Sequence, residues 1–204
     1  KFKEILASND YIILDGALGT ELENRGYDVS GKLWSAKYIL ENPKVIQDLH
    51  EDYLRAGADI VTTSSYQATV QGLEDHGLSE VEALKTIALT VDLAKNARDN
   101  FWQSLSDDEK AKRHYPLIAG DVGPYAAYLA DGSEYTGDYQ LSKEAFKDFH
   151  RSRIKALLLA GSDFLAIETI PNVVEAQALI ELLADEFPDT EAYMSFTAQL
   201  TVSP

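Results

Sequence analysis

Two acidic residues stand where a parallel α/β protein would place its reactive groups. Asp15 follows an apolar run, residues 11–14, and precedes two glycines, Gly16 and Gly19, which let the backbone turn sharply or approach a ligand closely. Glu168 ends another apolar run in the same way. A carboxylate at the end of a buried strand is typical of a binding or catalytic site. For Asp15 the sequence fits a second interpretation equally well, the N-cap of a helix that follows directly.

Five short apolar runs predict β-strands, because each has the length and composition of a buried strand. They comprise residues 11–14, 59–63, 116–120, 163–168 and 192–197. Helical apolar spacing fills most of the intervals between them. Ser79 with Glu82, and Asn172 with Glu175, predict capping boxes at two helix starts. The polar interval 126–140 is expected to be a loop, and it either covers a pocket or packs on the surface with its neighbouring tyrosines, Tyr125, Tyr128 and Tyr135.

The alternation of strands and helices predicts a parallel sheet with right-handed crossovers. A doubly wound sheet and a (β/α)8 barrel, the TIM barrel, both fit this order. No Gly-x-Gly-x-x-Gly sequence follows the first strand, which weighs against a dinucleotide site. Polar residues at all five strand ends favour the barrel. A closed barrel needs eight strands and typically ~250 residues, so residues 1–204 are expected to be the N-terminal portion of one barrel domain, with about its first five β/α units.

The composition narrows the choice of partners and cofactors. A formal net charge of −16 argues against nucleic acid or an anionic membrane as the partner. No apolar run approaches the ~20 residues that span a bilayer, and residues 1–10 carry no signal-peptide pattern, which together predict a cytoplasmic location. The sequence has no cysteine, hence no disulfide and no thiol nucleophile. His50 and His150 lie in charged helical patterns and are expected in solvent rather than on a metal ion.

A series of motifs, taken in order, resembles the homocysteine S-methyltransferases. The motifs are Asp15-Gly-Ala-Leu-Gly-Thr-Glu-Leu-Glu23, Leu33-Trp-Ser-Ala-Lys37, Arg55-Ala-Gly-Ala-Asp-Ile60, Ser65-Tyr-Gln-Ala-Thr69, Gly123-Pro-Tyr-Ala-Ala-Tyr-Leu-Ala-Asp-Gly-Ser-Glu-Tyr135 and Ala166-Ile-Glu-Thr169. The resemblance is greatest to the bacterial and plant enzymes that use S-methylmethionine or S-adenosylmethionine, and weaker to betaine–homocysteine methyltransferases. It implies a TIM barrel that transfers a methyl group from a sulfonium donor to the thiol of homocysteine, giving methionine.

The resemblance also implies a zinc ion that binds the homocysteine sulfur through three cysteines. In the family these cysteines lie on later strands, in an Asn-Cys pair and a Gly-Gly-Cys-Cys stretch. Neither motif occurs in the present sequence, so the zinc ligands are expected C-terminal to residue 204. The last residues, 199–204, also depart from the family's usual charged, glycine-containing turn after the fifth strand. No zinc ligand is therefore assigned within the sequence.

Residues that match the family's amino-acid site are expected to hold homocysteine. Glu168 matches the homocysteine-binding glutamate and would bind the ammonium group, although an ion pair within the barrel would also explain it. Asp15 matches the aspartate of the first strand and is the second candidate. The backbone N–H groups of Gly16 and Ala17 are expected to bind the substrate carboxylate, since exposed amides in glycine turns favour anions.

A second set of residues matches the side of the pocket that takes the methyl donor. Trp34 and Tyr66 belong to it, and an aromatic face attracts a sulfonium cation by ~0.5–2 kcal/mol. Packing alone explains both aromatic residues equally well. Thr62, Thr63 and Thr169 are expected in the pocket wall.

Two other functional classes remain open at this stage. The chain could be a non-catalytic binding or assembly remnant of the same fold, which pairs with another subunit. An unrelated barrel enzyme such as an aldolase would need a lysine at a strand end, and none of the five predicted strand ends has one.

Overall fold

The computed structural model describes residues 1–30 and 34–198, and for Trp34 the backbone alone. Its sheet has four parallel strands, β1 (Ile60–Thr62), β2 (Leu117–Val122), β3 (Phe164–Ile170) and β4 (Ala192–Phe196). The strands lie side by side in sequence order, β1-β2-β3-β4. The prediction of a parallel α/β fold is confirmed. Within the described residues, the strand order shows no reversal of the kind that defines a doubly wound sheet.

Helices fill the intervals between these strands. They are α1 (Phe2–Ser8), α2 (Leu18–Asn24), α3 (Lys37–Glu41), α4 (Pro43–Ala56), α5 (Val70–Asp75), α6 (Glu80–Ser104), α7 (Asp107–Lys110), α8 (Tyr125–Leu129), α9 (Lys143–Ala160) and α10 (Val173–Glu186), with 3-10 turns at Trp34–Ala36 and Ser133–Tyr135. In the part of the chain that the structure describes, no helix has both the length and the apolar character needed to cross a bilayer.

The first predicted strand is reduced to a single bridge, so four β/α units with a full strand are seen where five were expected. Leu14 pairs in parallel with Ile60, and the Asp15 N–H donates to the Ile60 carbonyl at 3.1 Å. Ile13 and Leu14 are 46% and 47% exposed, which makes the prediction of a buried strand here wrong. β1 pairs with β2 over three residues, whereas on its other side Leu14 alone forms a bridge to it.

The two faces of the sheet bury different sets of side chains, because successive residues of a strand point to opposite faces. On one face Val61, Ile118 and Leu165 belong to the main core, which they share with residues of the long helices α6, α9 and α10. On the other face a smaller cluster contains Ile60, Leu117, Ala119, Phe164 and Ala166. Phe2 of α1 closes this cluster by stacking on Phe164 at 4.3 Å between ring centroids.

One of the two predicted capping boxes is present. At the start of α6, Ser79 accepts from the Glu82 N–H, and the Glu82 carboxylate accepts from the Ser79 N–H. At α10, Asn172 accepts from the N–H groups of Val174 and Glu175, so the cap itself is confirmed. The Glu175 carboxylate does not return to the cap, because it is buried in contacts with other elements.

Interval 126–140 is not a plain loop, since it contains most of α8 and a 3-10 turn. Tyr125 packs edge-on against Phe149 of α9, and the Tyr128 hydroxyl donates to Asp75 at 3.0 Å. Both tyrosines thus fix α8 to its neighbours. Tyr135 is 62% exposed and is the member of this group that reaches the cavity described below.

His50 and His150 are buried, at 1% and 0% exposure, so the expectation that they lie in solvent is wrong. Apart from the buried Arg153, the charged residues of these two helices are partly or fully exposed, whereas both imidazoles lie on the inner faces. Burial lowers the pKa of each to about 4, which keeps the rings neutral near pH 7. Neither belongs to a group of side chains arranged to hold a metal ion, as far as the described residues go.

A buried polar network joins α9 and α10 through His150. The Arg153 guanidinium donates to His150 Nδ1 at 2.8 Å, and His150 Nε2–H therefore donates to Glu175 at 2.7 Å. Glu175 also accepts from the Tyr125 N–H at 2.6 Å and from the Tyr139 hydroxyl. Its carboxylate, with no exposed area, thus ties α8, α9 and α10 together.

Replacing Glu175 by glutamine tests this network. The change puts an amide donor where a carboxylate oxygen now accepts, and we expect the free energy of unfolding to fall by about 2–4 kcal/mol. Urea unfolding of the full-length protein measures it. The matched control is Glu181→Gln on the same helix, where the carboxylate pairs with Lys143 and Lys147 at the surface and is 42% exposed. The control should lose less than about 1 kcal/mol, and equal losses would show that the network carries no special stability.

Candidate active site at the carboxyl ends of the strands

A cavity of about 710 Å³ opens at the carboxyl ends of the parallel strands. In α/β proteins with parallel strands, this edge of the sheet is where ligands bind. Its wall comes from segments that are far apart in the sequence: residues 14–19, residues 62–64 with 66–67, Asp121, residues 168–169, and parts of 130–135, together with Ser35 and Tyr53.

The side-chain alternation of the strands explains why polar groups collect here. Ile60, then Leu117 and Ala119, then Phe164 and Ala166 form the small apolar cluster on one face of the sheet. Two residues further along each strand, on that same face, come Thr62, Asp121 and Glu168. The cavity therefore lies directly above this apolar cluster, with a polar layer of strand ends as its floor.

Seven of the eight residues predicted to bind substrate line this one cavity. They are Asp15, Gly16, Ala17, Thr62, Tyr66, Glu168 and Thr169. Thr63, also expected in the wall, lines it as well. The eighth predicted residue is Trp34, whose side chain lies outside the part of the chain that the structure describes. The structure thus brings Asp15 and Glu168 together from opposite ends of the sequence.

Asp15 is held by Thr62 rather than by a helix. The Thr62 N–H donates to one carboxylate oxygen and the Thr62 hydroxyl donates to the other, both at 2.8 Å. The N-cap of α2 is Ala17, and no side chain caps this helix, so the interpretation of Asp15 as a cap is wrong. The pair of bonds from β1 fixes the Asp15 carboxylate at the cavity.

Four carboxyl residues line the cavity, Asp15, Asp121, Glu134 and Glu168, and the charge of Glu168 disfavours ionisation of both Asp15 and Asp121. Burial raises the pKa of Asp15 to about 7, the two hydrogen bonds from Thr62 oppose this, and the charge of Glu168 adds to the rise. Burial also raises the pKa of Asp121 well above its usual range; the charge of Glu168 raises it further, whereas Arg153 lowers it. An arrangement of this kind attracts a cation, because a positive charge relieves the repulsion among the acids.

A backbone irregularity places Glu168 and Thr169 at the rim of the sheet. The pairing of β3 with β4 shifts register between Ile167 and Ile170. Within this bulge Thr169 has φ 62°, which is rare for a β-branched residue and costs of order 1–3 kcal/mol. The Thr169 N–H donates to the Ser195 hydroxyl at 3.0 Å, and the Tyr193 hydroxyl donates to Glu168. Strained backbone that neighbouring groups hold in place is typical of functional sites.

Among the cavity residues that the sequence reasoning did not assign to the site, Asp121 is a buried acid. The prediction ended the third strand at residue 120 and interpreted Asp121 as part of a turn, whereas β2 continues to Val122 and all six of its residues are buried. A signal was present in the sequence, because an acid next to the apolar run Leu117–Ala119 and before Val122 is expensive to bury without a purpose.

The residues present do not fit a zinc–thiolate site. The sequence contains no cysteine, and among residues 1–30 and 34–198 no group of three or more histidine, aspartate or glutamate side chains is arranged to hold a metal ion.

Comparison with known proteins identifies the family. A model of the homocysteine S-methyltransferases matches residues 12–203. The chain belongs to this family. It is 49% identical to the homocysteine S-methyltransferase YbgG of Bacillus subtilis over 197 residues, which are 97% of the chain and 62% of that protein. It is also 49% identical to the homocysteine S-methyltransferase of Escherichia coli, over 96% of the chain and 61% of that protein.

Solved structures of a homocysteine S-methyltransferase agree with the fold. The metallated form of the Escherichia coli homocysteine methyltransferase MmuM superimposes with a TM-score of 0.89 at 48% identity, over 97% of the chain and 67% of that structure. Its oxidized form gives the same TM-score. The chain spans about three fifths of the length of the curated relatives it matches.

The pH dependence of folding tests the environment of Asp15. Its pKa is raised from 3.8 to about 7 in the folded protein, so the folded state keeps a proton that the unfolded state loses between these values. Asp15 therefore lowers the free energy of unfolding progressively as the pH rises from about 4 to about 7. Asp15→Asn retains two contacts with Thr62 and removes this titration. We expect the free energy of unfolding of the variant, relative to wild type, to increase over that pH range.

Denaturant unfolding of the full-length protein at a series of pH values gives this difference. Asp138→Asn is the control, because Asp138 is exposed and lies outside the cavity wall while its replacement removes the same charge. Its curve should run parallel to that of the wild type. A difference between Asp15→Asn and wild type that is constant with pH would contradict a raised pKa for Asp15.

Proposed function

We propose that this chain forms the homocysteine-binding half of an enzyme that moves a methyl group from a sulfonium donor, S-methylmethionine or S-adenosylmethionine, to the thiol of homocysteine. The observation that carries the proposal is that Asp15 and Glu168 share one cavity in a chain of the homocysteine S-methyltransferase family. The remaining part of the fold is proposed to complete a TIM barrel, of which the four sequential parallel strands and the strand-one bridge form a contiguous part.

The proposed amino-acid site uses groups of opposite sign. Glu168 and Asp15 would accept hydrogen bonds from the α-ammonium group of homocysteine, which is a charge-assisted interaction. The backbone N–H groups of Gly16 and Ala17, on the same cavity wall, would donate to the α-carboxylate. Fixing both charged groups of the α-carbon would orient the thiol for in-line attack on the methyl group.

The donor side of the site is proposed at Tyr66 and Trp34. Tyr66 lines the cavity, and an aromatic ring there would stabilise a sulfonium cation through its face. Thr62 and Thr169 would form the adjoining wall. Little proton transfer accompanies the methyl shift, so these residues are proposed to position the reactants.

Zinc is proposed as the cofactor of the full-length enzyme, and a relative has been solved in a metallated form. The metal would supply ionisation of the homocysteine thiol, whose pKa of about 8.5 otherwise leaves it protonated at neutral pH. The described residues offer no ligand set for it, and its ligands are expected among cysteines C-terminal to residue 204. Small molecules are thus the proposed partners, with a cytoplasmic location as the prediction from composition.

Glu168→Gln tests the role of Glu168 in binding. The glutamine carbonyl still accepts from the Tyr193 hydroxyl, so the fold is expected to persist. Loss of one charge-assisted hydrogen bond should raise the dissociation constant for homocysteine about ten- to hundredfold. Isothermal titration calorimetry on the full-length protein measures this constant. Glu181→Gln, a surface change on α10, serves as control, and wild-type affinity in Glu168→Gln would show the assignment of Glu168 to be wrong.

Removal of metal gives an independent test of the reaction class. Dialysis of the full-length protein against a strong chelator is expected to abolish methyl transfer, because the thiol then stays largely protonated. Restoring zinc should restore the rate, which is followed by the appearance of methionine. Undiminished methyl transfer by fully demetallated protein would contradict the proposed zinc chemistry.

The alternative function is a non-catalytic binding or assembly protein, and the cysteine-free sequence is the observation that favours it. Intact mass and metal content of the natural protein separate the two. A mass well above 22.6 kDa with bound zinc supports the enzyme, and a mass near 22.6 kDa without zinc supports the alternative.

A further inference from the structure

Asp121 is a buried acid whose carboxyl group has an unpaired oxygen atom among the described residues. It lies on β2 at the floor of the cavity, between the strands that carry Thr62 and Glu168, and is 6% exposed. Its Oδ1 atom has no hydrogen-bond partner among the described residues. An acceptor buried without a partner is unfavourable, so a group that completes the site is expected beside it.

The backbone of Asp121 is fixed by two hydroxyl groups from the segment after β1. Thr63 accepts from the Asp121 N–H at 2.9 Å, and Ser65 donates to the Asp121 carbonyl at 2.7 Å. These two hydroxyls also contact each other at 2.7 Å, and both residues are buried. The carboxyl group is thus attached to a rigid part of the sheet at a set place in the cavity.

Arg153, a buried cation that influences Asp121, does not take the carboxyl as a direct partner. Its guanidinium donates to the carbonyl groups of Tyr66 and Gly123, at 3.1 and 2.6 Å, and to His150. In the described residues, no ion pair joins Arg153 to Asp121 within 4.0 Å. A structural salt bridge therefore does not account for Asp121, whereas an incoming cation would.

We propose that Asp121 is a specificity-determining residue that accepts a hydrogen bond from the α-ammonium group of the amino-acid substrate, as the third carboxyl beside Asp15 and Glu168. The inference rests on the proposed function and extends it to a residue that neither the sequence motifs nor the comparison assigns. An ammonium group has three N–H donors. Asp121 and Glu168 lie on adjacent strands, which are about 4.8 Å apart, and Asp15 reaches the same cavity from the far side of β1.

The test compares two ligands that differ only in the amine. Homocysteine and its desamino analogue, 4-sulfanylbutanoate, are titrated into the full-length wild-type protein and Asp121→Asn, with Asp138→Asn as a matched charge control. We expect Asp121→Asn to raise the dissociation constant for homocysteine about tenfold or more. The dissociation constant for the analogue should change by less than about twofold. Asp138→Asn should leave both constants as in the wild type.

The outcomes separate this inference from the proposed function. Equal weakening of both ligands would mean that Asp121 only supports the fold, and unchanged binding of both would mean that it has no role; either result overturns the inference while homocysteine still binds the wild type. A wild-type protein that binds neither ligand would contradict the proposed function itself. Should Asp121→Asn fail to fold, the smaller Asp121→Ser is subjected to the same comparison and the same criteria apply.

Discussion

The alternation of side chains along parallel strands is the constraint on which the site depends. Because the strands run in the same direction, their carboxyl ends meet at one edge, and because side chains alternate, residues two apart share a face. The face that buries Leu117 and Phe164 lower down therefore presents Asp121 and Glu168 at its upper end. Thr62 extends this row by one strand and brings in Asp15 through its two hydrogen bonds.

Grouping acids in this way opposes folding, and the surrounding structure has features that offset the cost. Desolvation and mutual repulsion raise the pKa values of Asp15 and Asp121. Thr62 donates two hydrogen bonds to Asp15, and Arg153 contributes a buried positive charge near Asp121. Arg153 is in turn fixed through His150 and Glu175, which join the helices behind the sheet. This framework fixes the acids in place without removing the effects that raise these two pKa values.

Sequence motifs predicted the structure correctly where it depends only on residues close together in the chain. The Ser79–Glu82 capping box forms as expected, because it depends on a few neighbouring residues. The same motif failed in part at Asn172, where burial among three helices gives the Glu175 carboxylate stronger partners than the cap offers. The first strand and the two buried histidines were misjudged for a related reason, since exposure depends on what packs against a segment.

The order of strands and helices, the presence of acids at strand ends, and the family were determined by the sequence alone, because spacing and motif content are properties of the chain itself. The tertiary structure decided that Asp15 binds Thr62 instead of capping a helix, and that Asp121 belongs to the same cavity as Glu168. Both outcomes depend on strand register, which brings together residues more than forty positions apart. Register follows from the packing of the whole sheet, so no single stretch of sequence contains it.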